Sequence, residues 1–153
     1  MAKGTSSTVR RILDSSTPPS VVLVRLIVGA VFLSEGIQKF LFPAELGVGR
    51  FTRIGLPAPE LLAPLVGGFE IACGLLVLLG LLTRLAAVPL IVIMLIAIST
   101  TKLPMLTSRG FWVMAHEART DWSMLLSSVY LLIVGAGTWS FDAVLTRRRG
   151  AGD

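Results

Sequence analysis

The chain has 153 residues, of which 54% are hydrophobic and 15% are charged, and its mean hydropathy is +0.81. An average soluble protein has roughly 25% charged residues, so this composition excludes an ordinary soluble domain. The net charge of +5 could indicate a nucleic-acid partner, but most of the basic residues lie at the chain ends or beside apolar stretches. That placement is typical of membrane topology and of contact with anionic lipid head groups, so no nucleic-acid partner is expected.

Four stretches of about 20 mostly apolar residues predict an all-α fold, a four-helix transmembrane bundle. Residues 1–20 are polar and basic and end in Thr17-Pro18-Pro19-Ser20, which indicates a disordered cytoplasmic tail. The predicted spans cover 21–42, 61–83, 85–101 and 122–145 and form one transmembrane domain over 21–145, and residues 146–153 form a second basic cytoplasmic tail. The polar stretch from Lys102 to Asp121 is interpreted as a loop at the membrane interface.

Four spans place both termini on the same side of the membrane. The tails and the connection between the second and third spans carry seven Lys and Arg residues, against five in the other two connections. Because loops rich in Lys and Arg stay in the cytoplasm, both termini are predicted to be cytoplasmic in a multi-pass protein of the cell membrane.

Ionisable residues inside the predicted spans are the main candidates for a functional site. Each costs at least about 2.5 kcal/mol at mid-bilayer, so each needs a partner or a cavity. The candidates for ligand binding or proton relay are Arg25, Glu35, Lys39 and Glu70. Helical periodicity places Arg25, Gly29, Phe32, Gly36 and Lys39 on one face of the first span, and Ala63, Gly67, Glu70 and Gly74 on one face of the second. Both faces are therefore expected to point into the bundle.

Further polar residues are expected near the same interior, beside Glu35 and Lys39. The secondary pocket candidates are Tyr130, which shares a predicted face with Ser123 and Ser127, together with Thr101, His116 and Asp121. Two interpretations remain open at this point. The charged residues either form ion pairs that specify helix packing without chemistry, or they bind a small polar ligand, relay protons or hydrogen-bond a quinone head group.

The sequence contains no motif for independent catalysis. We find no phosphate-binding loop, no His/Cys spacing typical of a metal site and no nucleophile with a base, so no metal is expected and no catalytic residue is assigned. Cys73 is the only cysteine, which excludes a dithiol cycle within the chain.

Seven motifs follow one another along the chain: Arg25-x3-Gly29, Phe32-x2-Glu35-Gly36-x2-Lys39-Phe40, Phe51-x3-Gly55-Leu56-Pro57-x-Pro59, Gly67-x2-Glu70-x3-Gly74, Leu78-x-Gly80, Thr83-Arg84 and Gly135-x-Gly137-x2-Ser140-x-Asp142. In order and spacing they resemble the DoxX family of small four-helix membrane proteins, which implies a DoxX-like domain over 21–145. The resemblance implies a subunit or scaffold of a membrane-associated, quinone-linked oxidoreductase system. It also implies the lipid bilayer, a soluble oxidoreductase or a second copy of the chain as partners, and quinone as the cofactor to consider. The alternative is a non-enzymatic small-molecule carrier or exporter, or an assembly factor, that uses the charged pocket.

Overall fold

The computed structural model describes residues 18–150, with side chains to residue 147, so most of the predicted N-terminal tail and residues 151–153 lie outside the described part. Every regular element within that part is helical. In chain order the helices are α1 Val21–Leu41, α2 Val48–Arg53, α3 Pro59–Leu79, α4 Thr83–Ala97, α5 Leu103–Arg109, α6 Phe111–Val134 and α7 Phe141–Gly150. A π-helical segment, Ile98–Lys102, joins α4 to α5.

Three helical stretches are long and apolar enough to cross a membrane: Val21–Leu41, Pro59–Leu79 and Thr83–Arg109. The third combines α4, the π-helical segment and α5. The fourth long helix, α6, is apolar only in its second half, because its first half carries charged residues such as Glu117, Arg119 and Asp121. Among the described residues the all-α prediction is therefore confirmed, with three candidate spans.

The interpretation of residues 102–121 as a loop is wrong. This stretch is helical on both sides of Gly110, whose φ of 83° separates α5 from α6. The predicted helix over 122–145 also differs from the structure, because α6 begins at Phe111 and ends at Val134. Gly135 follows with a φ of 87°, a conformation that glycine adopts at no steric cost and that ends the helix.

Helices α1 and α3 pack closely in antiparallel orientation through small residues. A Cβ atom added at Gly36 would lie 2.7 Å from the carbonyl oxygen of Gly67, and one added at Gly74 would lie 2.8 Å from the amide nitrogen of Leu33. Such close approach of two backbones requires glycine at the contact. The predicted inward faces are confirmed by burial, since Arg25, Gly29, Phe32 and Gly36 of α1 and Ala63, Gly67, Glu70 and Gly74 of α3 are all buried.

The four long helical stretches form a ring of contacts, in which α1 packs on α3, α3 on α4, α4 on α6 and α6 on α1. Their interior contains a hydrophobic core that includes Val28, Phe32, Val77, Leu90 and Leu131. We call the two ends of this ring the Arg25 end, where α1 and α4 begin and α3 and α6 end, and the Glu70 end, where the opposite termini meet. The charged residues divide between these two ends.

Candidate functional site

A buried ion pair joins α1 to α3 at the Glu70 end. Lys39 Nζ lies 2.6 Å from Glu70 Oε2 and 3.9 Å from Glu35 Oε2. The side chain of Glu70 is 5% exposed, whereas that of Glu35 is 47% exposed. The predicted pairing of Glu35 with Lys39 along one helix is therefore present, but the cross-helix contact with Glu70 is the shorter and more buried one.

A cavity of about 350 Å³ lies beside this ion pair. It is lined by residues of α1, α2, α3, α4, the π-helical segment and α6. Its polar side chains are Glu35, Lys39, Arg50, Glu70, Thr100, Thr101, Lys102, Thr120 and Asp121, and its apolar wall includes Val31, Phe32, Leu62, Val66, Ile93 and Met94. The cavity thus combines charged groups with an apolar wall, as ligand sites in proteins commonly do.

A second ion pair lies on the opposite wall of the cavity, between Lys102 Nζ and Asp121 Oδ2 at 3.2 Å. Lys102 ends the π-helical segment, in which Thr100 and Thr101 donate their hydroxyls to the carbonyls of Ile96 and Ala97. A π-helical turn holds more residues than an α-helical turn, and such segments are frequent at functional sites. Here it brings three consecutive polar residues to the cavity wall.

The charged side chains around the cavity balance one another. Three are acidic (Glu35, Glu70 and Asp121) and three are basic (Lys39, Arg50 and Lys102). The cavity wall therefore has no net charge when all six side chains are ionised.

Arg25 lies at the other end of the ring and does not line the cavity. Its guanidinium donates to four backbone carbonyls: Val77 at 2.9 Å, Leu78 at 2.6 Å, Ala136 at 3.1 Å and Trp139 at 2.6 Å. These carbonyls belong to the last turn of α3 and to the segment after α6, where helical hydrogen bonding ends. The carbonyl of Val77 also accepts from the N–H of Gly80, at 3.1 Å. Arg25 thus fixes the ends of two helices.

Asp142, in α7, completes the Arg25 end. Its carboxylate accepts hydrogen bonds from the backbone N–H groups of Leu82, at 2.8 Å, and Thr83, at 3.3 Å, at the start of α4. Burial raises the pKa of Asp142, while these N–H groups and the charge of Arg25 act in the opposite direction. Sequence reasoning placed Asp142 only in a family motif, because the fold was needed to bring it to the first turn of α4.

The structure brings together Glu35, Lys39, Glu70, Thr101 and Asp121 among the predicted site residues. His116 and Tyr130 are exposed and do not line the cavity. The face predicted for the fourth span is wrong, because Ser123 and Tyr130 point outward and Ser128 is the buried hydroxyl of α6. Sequence reasoning did not assign Arg50 to the site, since only the packing of α2 brings it to the cavity.

Within residues 18–147, no three or more His, Cys, Asp and Glu side chains come together in a way that could hold a metal ion. The groups available at the cavity are carboxylates, amines, a guanidinium and hydroxyls. These groups can hydrogen-bond a ligand and can hold or release protons.

Three long apolar helices that enclose paired charges define a helical integral membrane protein. The profile of the DoxX family matches residues 20–103, more than half of the chain, so this protein belongs to the DoxX family. The resemblance inferred from the motifs is thereby confirmed.

Two relatives match over nearly their full length. The chain is 56% identical over 147 residues to "Uncharacterized membrane protein Rv3486" of Mycobacterium tuberculosis, covering 92% of this chain and 90% of the relative. It is 28% identical over 143 residues to "Putative oxidoreductase CatD" of Bacillus subtilis, covering 92% of this chain and 98% of the relative. No solved structure matches the chain.

Proposed function

We propose that this chain is a quinone-binding membrane subunit of an oxidoreductase system, folded as a four-helix transmembrane bundle. The observation that carries the proposal is the cavity in which the Lys39–Glu70 ion pair meets an apolar wall. The oxidoreductase name of the Bacillus relative is consistent with this proposal.

The cavity fits the head group of a quinone in size and chemistry. A volume of about 350 Å³ lies within the range common for small-molecule sites. A quinone head group is flat and uncharged and has carbonyl oxygens, which accept hydrogen bonds from an ammonium such as that of Lys39. When bound, a quinone would accept or donate electrons together with protons.

The chain's own residues have distinct parts in this proposal. Lys39 binds and orients the head group, Glu70 holds or releases a proton beside it, and Phe32 and Met94 form the apolar wall against the ring. The electrons come from a partner oxidoreductase, either soluble or membrane-bound, because the side chains at the cavity offer groups for protons only.

The proposed topology uses α6 as the fourth span and places both termini in the cytoplasm. The ring of contacts among α1, α3, α4 and α6 supports a bundle, and the distribution of basic residues supports the orientation. The Glu70 end then faces away from the cytoplasm, and the first turns of α6 lie at that membrane surface.

A carrier or exporter is the second candidate, and the Arg25 end provides an argument against it. A carrier must open its site alternately to both sides of the membrane. Here the four hydrogen bonds from Arg25 to backbone carbonyls hold the ends of α3 and α6 together at the Arg25 end. The cavity lies at the Glu70 end. Ligand binding without transport agrees better with this arrangement.

Quinone binding can be tested by native mass spectrometry of the chain in nanodiscs, with a decyl-tailed benzoquinone added to the lipid. We expect one bound quinone per chain in the wild type, weaker binding in Lys39→Met, which loses the donor, and weaker binding in Glu70→Gln, which loses the carboxylate that positions Lys39. Loss of one charge-assisted hydrogen bond, about 1.5–3 kcal/mol, corresponds to a loss in affinity of about tenfold or more.

The matched control is Glu60→Gln, because Glu60 is an exposed carboxylate on the same helix as Glu70 and does not line the cavity. We expect this variant to bind quinone as the wild type does. Absence of bound quinone in the wild type, or equal binding by Lys39→Met, would refute the proposed function.

A further inference from the structure

The cavity wall between α3 and α4 differs from the rest of the wall. A short turn joins these two helices at the Arg25 end. At the Glu70 end, Leu62 and Val66 of α3 and Ile93 and Ile96 of α4 line the cavity between them. All four are at least partly exposed, and Ile96 is 47% exposed although it also lines the cavity.

Helical phase places Leu62 and Val66 on the flank of α3 that faces α4, and it places Ile93 and Ile96 on the flank of α4 that faces α3. On α3, Gly67 and Gly74 contact α1, and Val66 lies on the other side of the buried stripe. The same reasoning places Ile93 and Ile96 on the flank of α4 away from Lys102, which pairs with α6. The exposed cavity residues are thus at a gap between α3 and α4.

On the other walls, the apolar lining residues of α1 and α6 include two that are buried. Phe32 of α1 is 2% exposed and Met124 of α6 is 4% exposed. At the Glu70 end itself, α2 packs on α3, and the buried Phe51 together with Ile54 and Leu56 covers the cavity along the helix axis. The exposed lining side chains on these other sides are polar: Glu35, Arg50 and Thr120. The side between α3 and α4 is therefore the apolar route from the surface to the ion pair.

The surface around this gap is apolar. Leu65 and Phe69 of α3 are 49% and 47% exposed, and Val92 and Leu95 of α4 are 48% and 52% exposed. In the membrane these side chains contact lipid tails. The cavity wall, by contrast, carries three acidic and three basic side chains and has no net charge.

We infer that the gap between α3 and α4 is a lateral opening to the lipid, and that the cavity takes an uncharged, lipid-dissolved molecule with a polar head group and an apolar tail. The head group contacts Lys39 and Glu70 while the tail lies between Leu62, Val66, Ile93 and Ile96. Only the identity of the head group as a quinone rests on the proposed function; the lateral opening rests on the geometry.

The opening can be tested with a small apolar diazirine dissolved in the bilayer, which on illumination inserts into nearby side chains. Labelled residues are identified by mass spectrometry of the reconstituted full chain. We expect label on the cavity residues Val31 and Phe32 of the wild type, although Phe32 is 2% exposed. Ile96→Trp should narrow the gap and reduce that label several-fold.

The matched control is Leu95→Trp, because Leu95 neighbours Ile96, is similarly exposed and does not line the cavity. On α3, Leu62→Trp repeats the comparison, with Leu61→Trp as its control. The opening can then still be tested if one of the variants fails to fold. Cavity label that is absent in the wild type, or unchanged in both Ile96→Trp and Leu62→Trp, overturns the lateral opening.

A decyl-tailed benzoquinone added as competitor separates this inference from the proposed function. If Ile96→Trp or Leu62→Trp reduces the label and the quinone protects Val31 and Phe32 from the diazirine, both stand. If label depends on Ile96 but quinone gives no protection, the opening stands and quinone is not the ligand. If quinone protects but neither Ile96→Trp nor Leu62→Trp changes the label, quinone binds and does not enter through this gap.

Discussion

The two ends of the helix ring differ in the partners of their buried charged groups. At the Arg25 end, a guanidinium donates to four backbone carbonyls and a carboxylate accepts from two backbone N–H groups. At the Glu70 end, charged side chains pair with other side chains beside a cavity of about 350 Å³.

Burial alone therefore does not distinguish a structural charge from a candidate functional one. Arg25 is 3% exposed and Glu70 is 4% exposed, so the two residues are buried to the same extent. The difference lies in their partners. Backbone groups at helix ends cannot rearrange without loss of the fold, whereas side chains at a cavity can exchange partners with a ligand.

The largest effect is expected at the Arg25 end. Arg25→Met removes a donor from four carbonyls, of which Val77 keeps the N–H of Gly80, and each buried group left without a partner costs about 1–3 kcal/mol. We expect a loss of at least about 3 kcal/mol in the free energy of unfolding, measured by denaturation in mixed micelles.

Arg109→Met is the control for that variant, because Arg109 is exposed in α5 and its replacement should leave stability unchanged. If Arg25→Met unfolded at the same denaturant concentration as the wild type, the distinction between the two ends would not hold.

An intermediate effect is expected at the α1–α3 contact, which connects the two ends. Gly74→Ala places a methyl group 2.8 Å from the amide nitrogen of Leu33 and should cost about 1–3 kcal/mol, as overpacking does. Gly68→Ala on the same helix meets nothing within 4 Å and should be neutral or slightly stabilising. Thermal unfolding of the two variants in one detergent makes the comparison, and equal midpoints would contradict the close approach of α1 and α3.

The smallest effect is expected for the ion pair of Lys102 with Asp121. Both side chains are partly exposed, at 13% and 23%, so their coupling should be no more than about 1 kcal/mol. A double-mutant cycle with Lys102→Met and Asp121→Asn measures this coupling. A coupling of several kcal/mol would place this pair with Arg25 as a structural charge.

The sequence predicted the inward faces of α1 and α3 because glycines and charges recur there with helical spacing. The same reasoning failed for α6, since a hydroxyl in a helix need not face the protein interior. Ser123 donates to the carbonyl of Arg119 in its own helix and stays exposed. Spacing alone cannot distinguish such a serine from the buried Ser128.

Only part of the candidate site could be predicted, because helical spacing shows which face a residue occupies and not which residue of another helix it contacts. Helical phase brought Lys39 and Glu70 to inward faces, but their contact depends on how α1 and α3 pack. The partners of Arg25 are backbone carbonyls, which no side-chain pattern reveals. The π-helical segment also has no marker in the sequence that we recognise, although it brings Thr100, Thr101 and Lys102 to the cavity.

The contacts of Arg25 also bear on how the chain is made. Its four carbonyl partners follow it by 52, 53, 111 and 114 residues, so α1 leaves the ribosome long before they exist. A lone arginine in a newly inserted helix carries a cost of up to about 3.5 kcal/mol on insertion scales. The two bonds to α3 can offset part of that cost once α3 has been synthesised, and the other two form only after the segment that follows α6. The last part of the chain therefore completes the pairing of a charge in the first helix.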